Sequence, residues 1–302
     1  MKFNLKKSTI LINLIGSRAL GTQIDSSDVD VGGVYIPPKE YYIGFLNEFE
    51  QDNKTKEKFK YVDVPSNLKT FSDYFVGEEK DKVDNQRIDG SIYEISKFFR
   101  LGVDSDTFIL VSLFAPSHAV RYCNEFGKEL LYNRDLFLSK NIYKSILKRA
   151  QQRYRGARNA RDMAKRPKRL KPDIKNFTDK NEYKVALKEW RRGFCWDNSE
   201  NLRVKTIKKY GYDVKYAVQS LMFLRFGKDL LLDGKWNEDR GVEDLREIRH
   251  GGWLYDRFAD QYKKELKDLE LAFKDSTLPN RVNSNTLNDL CIDITERFLG
   301  YK

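Results

Sequence analysis

Cysteine and histidine are scarce in this chain. Three cysteines (Cys123, Cys195, Cys291) and two histidines (His118, His250) occur in 302 residues. No CxxC pair and no usual zinc-ligand spacing can be assembled from them, which excludes a structural zinc site and a disulfide framework. Long apolar runs are missing as well, and nothing approaches the roughly 18 residues of a membrane span. The opening MKFNLKKSTILINLI sets Lys2, Lys6 and Lys7 before an apolar run, but Asn13 interrupts that run and no cleavage pattern follows. It reads as a first strand rather than a signal peptide. There is no internal repeat and no low-complexity tract. The expectation is a soluble, cytoplasmic protein, with no membrane partner and an oligomeric state that composition leaves open.

Acidic residues are the minority charge. The formal net charge is +11, which favours a polyanionic partner, nucleic acid or nucleotide. The excess is local: between Lys144 and Lys171 twelve Lys and Arg face a single acid, Asp162. Repulsion between successive turns opposes such a helix, and phosphate contacts would relieve it. A solvated face or an acidic protein partner is the competing explanation.

What is present falls into two kinds of pattern. Strand signals fill the first part, at 10–15 and at 29–36, the second ending at Pro37-Pro38, which cannot continue a sheet ladder. Gly32-Gly33 inside the second run predicts a bulge or a close backbone approach. A polar segment at 47–60 reads as an exposed loop. Arg87 to Leu101 predicts a strand passing into a helix, while 108–114 is a buried strand or a short helix. From about residue 139 helices take over: 139–166 with a narrow stripe of Ile146 or Leu147, Ala150, Tyr154, Ala157, Ala160 and Ala164, then 183–194, 212–232, 242–248, 253–276 and 284–298. His250 before Gly251-Gly252 predicts a helix-end turn. A mixed-sheet domain at 1–138 followed by an all-helical domain at 139–302 is expected, an α+β organisation.

The chemistry lies in residues 11–36, LINLIGSRALGTQIDSSDVDVGGVYI. On a strand, Asp28 and Asp30 share a face roughly 6–7 Å apart, with Val29 and Val31 turned into the core. Two acids so placed can share a divalent cation. Gly16-Ser17 after the first strand allows backbone N–H groups near phosphate oxygens, and Arg18 adds charge. An EF-hand is excluded because Gly32 occupies the fifth position counted from Asp28 and no Glu falls at the twelfth.

Ile15-Gly16-Ser17, a ten-residue spacer and Asp28-Val29-Asp30-Val31 resemble the signature of the DNA polymerase β-like nucleotidyltransferase superfamily. GSRALG with SSDVDVGGVYIPP, YEISKFFRL, VKYAVQSLMFLRFGKDLLLDG, REIRHGG and STLPN more narrowly resemble the predicted nucleotidyltransferases of bacteria and their phages. The resemblance implies a polymerase β-like palm in the first domain and metal-dependent transfer of NMP from an NTP to an acceptor hydroxyl, with release of pyrophosphate. It implies Mg²⁺ or Mn²⁺ at Asp28, Asp30 and a third acid, for which Glu94 stands first and Asp89 is the competitor. It further implies Gly16, Ser17 and Arg18 on the triphosphate, with Lys97, Lys215 and Arg225 as further nucleotide contacts and Arg249 as another basic position. Two positions depart from the pattern: Gln219 replaces the usual histidine, and Ser105-Asp106 replaces Asn-Pro. The charge between Lys144 and Lys171 favours RNA, such as a tRNA, as the acceptor. Nucleotidylation of a protein or small molecule, and a non-catalytic nucleic-acid-binding protein, are the alternatives.

Overall fold

The structure, a computed structural model, describes residues 4–43, 61–63, 71–85, 87–164, 171–193, 202–237, 239 and 241–301. Its strands are β1 (Thr9–Leu14), β2 (Val29–Tyr35), β3 (Tyr61–Asp63), β4 (Ile88–Glu94) and β5 (Val120–Cys123). They form one five-stranded sheet in the order β3-β4-β2-β1-β5. Its helices are α1 (Leu5–Ser8), α2 (Gly16–Ala19), α3 (Gly77–Asp84), α4 (Ile95–Val103), α5 (Thr107–Leu113), α6 (Glu125–Tyr132) and α7 (Asn141–Ala164). The remainder are α8 (Lys180–Gly193), α9 (Leu202–Tyr210), α10 (Val214–Asp233), α11 (Val242–Arg249), α12 (Tyr255–Asp275) and α13 (Ser284–Leu299). The fold is α+β, with a mixed sheet and a helical C-terminal part. The loop expected at 47–60 lies outside the described residues.

Contacts divide the chain into two compact units: residues 1–146, 226–242 and 269–302 in one, and 147–225 with 243–268 in the other. The divisions fall within α7, α10, α11 and α12, so the sheet unit takes in two later segments besides the run expected at 1–138.

In the sheet unit, β1 and β2 are antiparallel and β2 runs parallel to β4. The alternation of Asp28-Val29-Asp30-Val31 sorts itself as the period of two requires: Val29 and Val31 are fully buried, Asp28 is exposed and Asp30 half-buried. The two glycines in β2 are needed for close approach. A Cβ on Gly33 would strike the Leu11 carbonyl of β1, and one on Gly32 the Ser112 hydroxyl of α5. The irregularity itself lies in β1, between Thr9 and Leu11.

β4 passes directly into α4, and Glu94 makes the junction: its carboxylate accepts hydrogen bonds from the N–H groups of Ser96 and Lys97, at 2.8 and 3.0 Å. These satisfy two of the donors that a helix start leaves open. Ile95, Phe98, Phe99 and Gly102 then form the buried face of α4, in which Gly102 admits the Phe137 ring. Each buried phenylalanine contributes about 1.5–3 kcal/mol. The apolar run at 108–114 is helix α5, opened by Asp106, whose side chain accepts from the Phe108 N–H. Ser105-Asp106, the departure noted in the sequence, is therefore a helix start, with Ser105 at φ 56°.

Gly90, in β4, has φ 144°, and a Cβ there would overlap the Val31 carbonyl of β2. Gly90→Ala is accordingly expected to destabilise the sheet unit by about 3 kcal/mol or more, since both strain and overlap oppose it. A chemical-denaturation curve with an unchanged midpoint would contradict this.

In the helical unit α7 buries Ala150 and Ala157, and Tyr154 stacks on Tyr262 of α12 with centroids 4.0 Å apart. His250 is exposed just past α11, and Gly251 takes φ 80°, the helix-end turn expected.

Candidate active site

The site grows from the crossing between β1 and β2. β1 ends at Leu14 and turns at Gly16, whose φ of 67° is left-handed and suits glycine. The turn lies against β2: the Ile15 N–H donates to the Asp30 carbonyl at 2.8 Å, and a Cβ on Gly16 would collide with the Asp30 carboxylate. The left-handed backbone favours glycine here, and the missing Cβ leaves room for the Asp30 carboxylate. Ser17 is half-buried in the same turn.

The parallel register of β2 and β4 supplies the next carboxylate. Asp30 is opposite Asp89, and Val29 opposite Ile88. Paired residues on parallel strands point to the same face, so Asp30 and Asp89 are neighbours one strand spacing apart, about 4.8 Å between backbones. One step back, the Arg87 Nε donates to the Asp28 carboxylate at 3.4 Å. Asp89 is exposed and accepts from the N–H of Gly90 at 2.8 Å.

Glu94 is not brought to this face. It pairs with Tyr35, five register positions beyond Asp30, which is about 16 Å along the strand. It is fully buried, and besides its two backbone donors it accepts from the hydroxyls of Ser96 (2.5 Å) and Tyr42 (2.8 Å). Burial, then the charge of Glu94, pushes the Tyr42 phenol well above its ordinary pKa, so the tyrosine stays a donor. Glu94, expected to complete a metal site with Asp28 and Asp30, is not brought together with them in this structure, and its oxygens cap α4. Lys97 follows it in the first turn of α4, away from the Gly16 turn in strand register.

Arg18 departs from expectation too. It is buried and its guanidinium reaches Glu78 of α3 at 3.3 Å. Arg225 is held among acids of its own unit, donating to Glu265 at 2.6 and 2.9 Å and to Asp244 at 3.3 Å. Both have carboxylate partners within their own units. Lys215 is exposed at the start of α10, and Arg249 is half-buried, desolvation being the main influence that lowers its pKa. Gln219 lies half-buried on α10.

In the sequence Asp89 stands second to Glu94, and neither Arg87 nor Lys82 is singled out. Arg87-Ile88-Asp89 repeats the alternation of Asp28-Val29-Asp30, a polar side chain on each side of a buried aliphatic. That repetition was the available signal.

Among the described residues no three acidic, histidine or cysteine side chains converge closely enough to hold an ion as they stand, Asp28 being turned to Arg87 and Asp89 to Gly90. The donor set nevertheless suits a hard cation, since all three side chains offer carboxylate oxygens on neighbouring strand positions. No helix among the described residues is long and apolar enough to cross a membrane.

The comparisons agree with this architecture. The sequence profile of the RNA repair pathway DNA polymerase beta family matches residues 4–219, which span the whole sheet and the helices as far as the start of α10. No curated protein and no solved structure compared with the chain matches it. A match over more than two-thirds of the chain, which includes Gly16, Asp30 and Asp89, makes the protein a member of the RNA repair pathway DNA polymerase beta family.

Proposed function

We propose that the protein is a metal-dependent nucleotidyltransferase that transfers NMP from an NTP to a hydroxyl of RNA. The observation that carries this reading is the register that sets Asp30 beside Asp89, with Gly16 closed against the Asp30 carboxylate. Family membership adds the reaction class and its RNA setting.

Asp28, Asp30 and Asp89 would hold Mg²⁺ or Mn²⁺, once Asp28 turns from Arg87 and Asp89 from Gly90. Bound there, the metal supplies positive charge to the phosphates and lowers the pKa of the attacking hydroxyl. The backbone and hydroxyl of Ser17 take triphosphate oxygens, which the absence of a Cβ at Gly16 allows to come close. In the reaction the acceptor oxygen bonds to the α-phosphorus and the α–β bridging P–O bond breaks. Pyrophosphate leaves with the bridging oxygen, and the hydroxyl proton passes to a site carboxylate or to water. Asp89, exposed on β4, is the residue assigned to face the acceptor.

Charge distribution supports RNA as the acceptor. The helical unit, residues 147–225 and 243–268, carries 29 Lys and Arg against 15 Asp and Glu. Lys148, Arg155 and Arg158 stand exposed along α7, and Lys205 and Lys209 on α9. Such a surface binds phosphates without reading sequence.

The test uses each NTP labelled at the α-phosphate, with Mg²⁺ and RNA whose 3′ hydroxyl is free or blocked. Label is expected to enter RNA with the free hydroxyl, with one pyrophosphate released per nucleotide. Label entering only protein or a small hydroxyl compound would overturn the acceptor, and no transfer to any fraction would overturn the enzyme.

A further inference from the structure

Helix α3 is short and polar, with Glu78, Glu79, Lys80, Asp81 and Lys82 in one run. Such a run ordinarily faces solvent, yet Lys82 is buried to 9% exposure. A buried ammonium needs partners, and this one has three. Its Nζ donates to the Asp25 carbonyl at 2.9 Å and the Ser27 carbonyl at 3.4 Å, and pairs with Glu78 at 2.8 Å. The two carbonyls belong to the turn that delivers Asp28 and Asp30. The backbone of Lys82 acts on the other strand: its carbonyl accepts from the Arg87 N–H at 2.8 Å, and the Arg87 carbonyl accepts from Val29 at 2.8 Å. One residue therefore grips the approach to β2 with its side chain and the approach to β4 with its main chain.

The same helix holds the Gly16 turn. Glu78 Oε1 receives both Lys82 and, at 3.3 Å, Arg18. Hydrogen bonds from Lys82 and then Arg18 hold the Glu78 carboxyl below its ordinary pKa. Glu79 adds an anchor to the far side of the sheet, accepting Arg121 of β5 through both oxygens at 2.6 Å. α3 is thus fixed at one end of the sheet, where the three segments bearing Gly16, Asp28 and Asp89 come in.

We propose that the Lys82 side chain is a positioning group that sets the spacing of the Asp28, Asp30 and Asp89 carboxylates, through its hold on the carbonyls of residues 25 and 27 from a helix whose main chain is bonded to Arg87. The proposal rests on the metal-site reading above. Lys82 touches neither substrate nor cation; it fixes where the two strand starts lie relative to each other, and removing partners of this kind costs about 10- to 100-fold in metal affinity.

The experiment measures Mn²⁺ binding to the full chain without NTP, by titration calorimetry or electron paramagnetic resonance, at a temperature where every variant is folded by circular dichroism. Lys82→Met keeps the aliphatic stem and removes the ammonium, and is expected to weaken Mn²⁺ about tenfold or more. Lys82→Arg, which can still donate to both carbonyls, is expected to recover most of the loss. Val83→Ala, from the fully buried Val83 of the same helix, is expected to lower the melting temperature while binding Mn²⁺ as the unaltered chain does. A folded Lys82→Met with unaltered affinity would overturn the proposal, as would an equal weakening in Val83→Ala, since general destabilisation would then suffice. If Asp30→Asn binds Mn²⁺ as well as the unaltered chain, the metal-site reading fails and Lys82 falls with it. If Asp30→Asn loses the ion and Lys82→Met does not, Lys82 alone is refuted.

Discussion

Asp30→Asn and Asp89→Asn are each expected to slow nucleotidyl transfer by at least about a thousandfold, since a metal-holding carboxylate supplies several kcal/mol of transition-state stabilisation. Glu94→Gln is expected to leave the rate within about twofold, because Glu94 pairs with Tyr35, five register positions from Asp30. Its effect belongs to stability. The carboxylate accepts from Ser96 N–H, Ser96 Oγ, Lys97 N–H and Tyr42 Oη. An amide offers one acceptor oxygen and turns a donor toward other donors, at a cost of about 1–3 kcal/mol. Single-turnover rates and denaturation midpoints on the same preparations check both halves. A Glu94→Gln chain that is stable and dead, beside an active Asp89→Asn, would reverse the assignment.

The second large effect concerns RNA. Replacing Lys148, Arg155 and Arg158 together with Gln removes three exposed charges from α7. Each phosphate contact contributes about 0.7 to the slope of log affinity against log salt for a single strand, so the slope is expected to fall by about 2. RNA affinity at low salt should drop by roughly 10- to 100-fold, with NTP binding unaffected. Arg161 is left out of this set for a structural reason. It pairs with Asp256 at 3.3 Å and lies over the Tyr255 ring, 4.3 Å from its centroid, so its loss would also disturb packing. Fluorescence anisotropy at several salt concentrations reads the slope, and an unchanged slope would place the RNA elsewhere.

How legible all this was in the sequence depended on the range of the interaction. Signals that act within a few residues came through. The alternation around Val29 and Val31 fixed which residues face inward, the glycines at 32 and 33 announced close approach, and the change from strand to helix between Arg87 and Leu101 is the β4–α4 junction. Of the apolar stripe expected on α7, Ile146, Ala150 and Ala157 are buried and Tyr154 and Ala160 half-buried, while the Ala164 side chain lies outside what is described.

Pairings across long separations did not come through. Asp30 and Asp89 are 59 residues apart, and only the parallel register of β2 with β4 makes them neighbours. Without that register Glu94 and Asp89 differ merely by their places in one strand. The same limit applies to basic residues. Arg18 follows Gly16-Ser17 so closely that a phosphate contact is the natural expectation, yet its side chain turns to Glu78, sixty residues on. Arg225 sits in a helix with the right pattern, and its partners arrive from α11 and α12. A buried guanidinium must find carboxylates wherever the fold supplies them, and nothing local announces which.

The most direct test of the central claim is crystallographic. Crystals grown with Mn²⁺ and a non-hydrolysable NTP analogue would be examined by anomalous scattering at the manganese edge. A peak coordinated by Asp30 and Asp89, with the triphosphate against Gly16 and Ser17, is the result predicted. Manganese bound at Glu94, or a triphosphate bound away from the Gly16 turn, would contradict it.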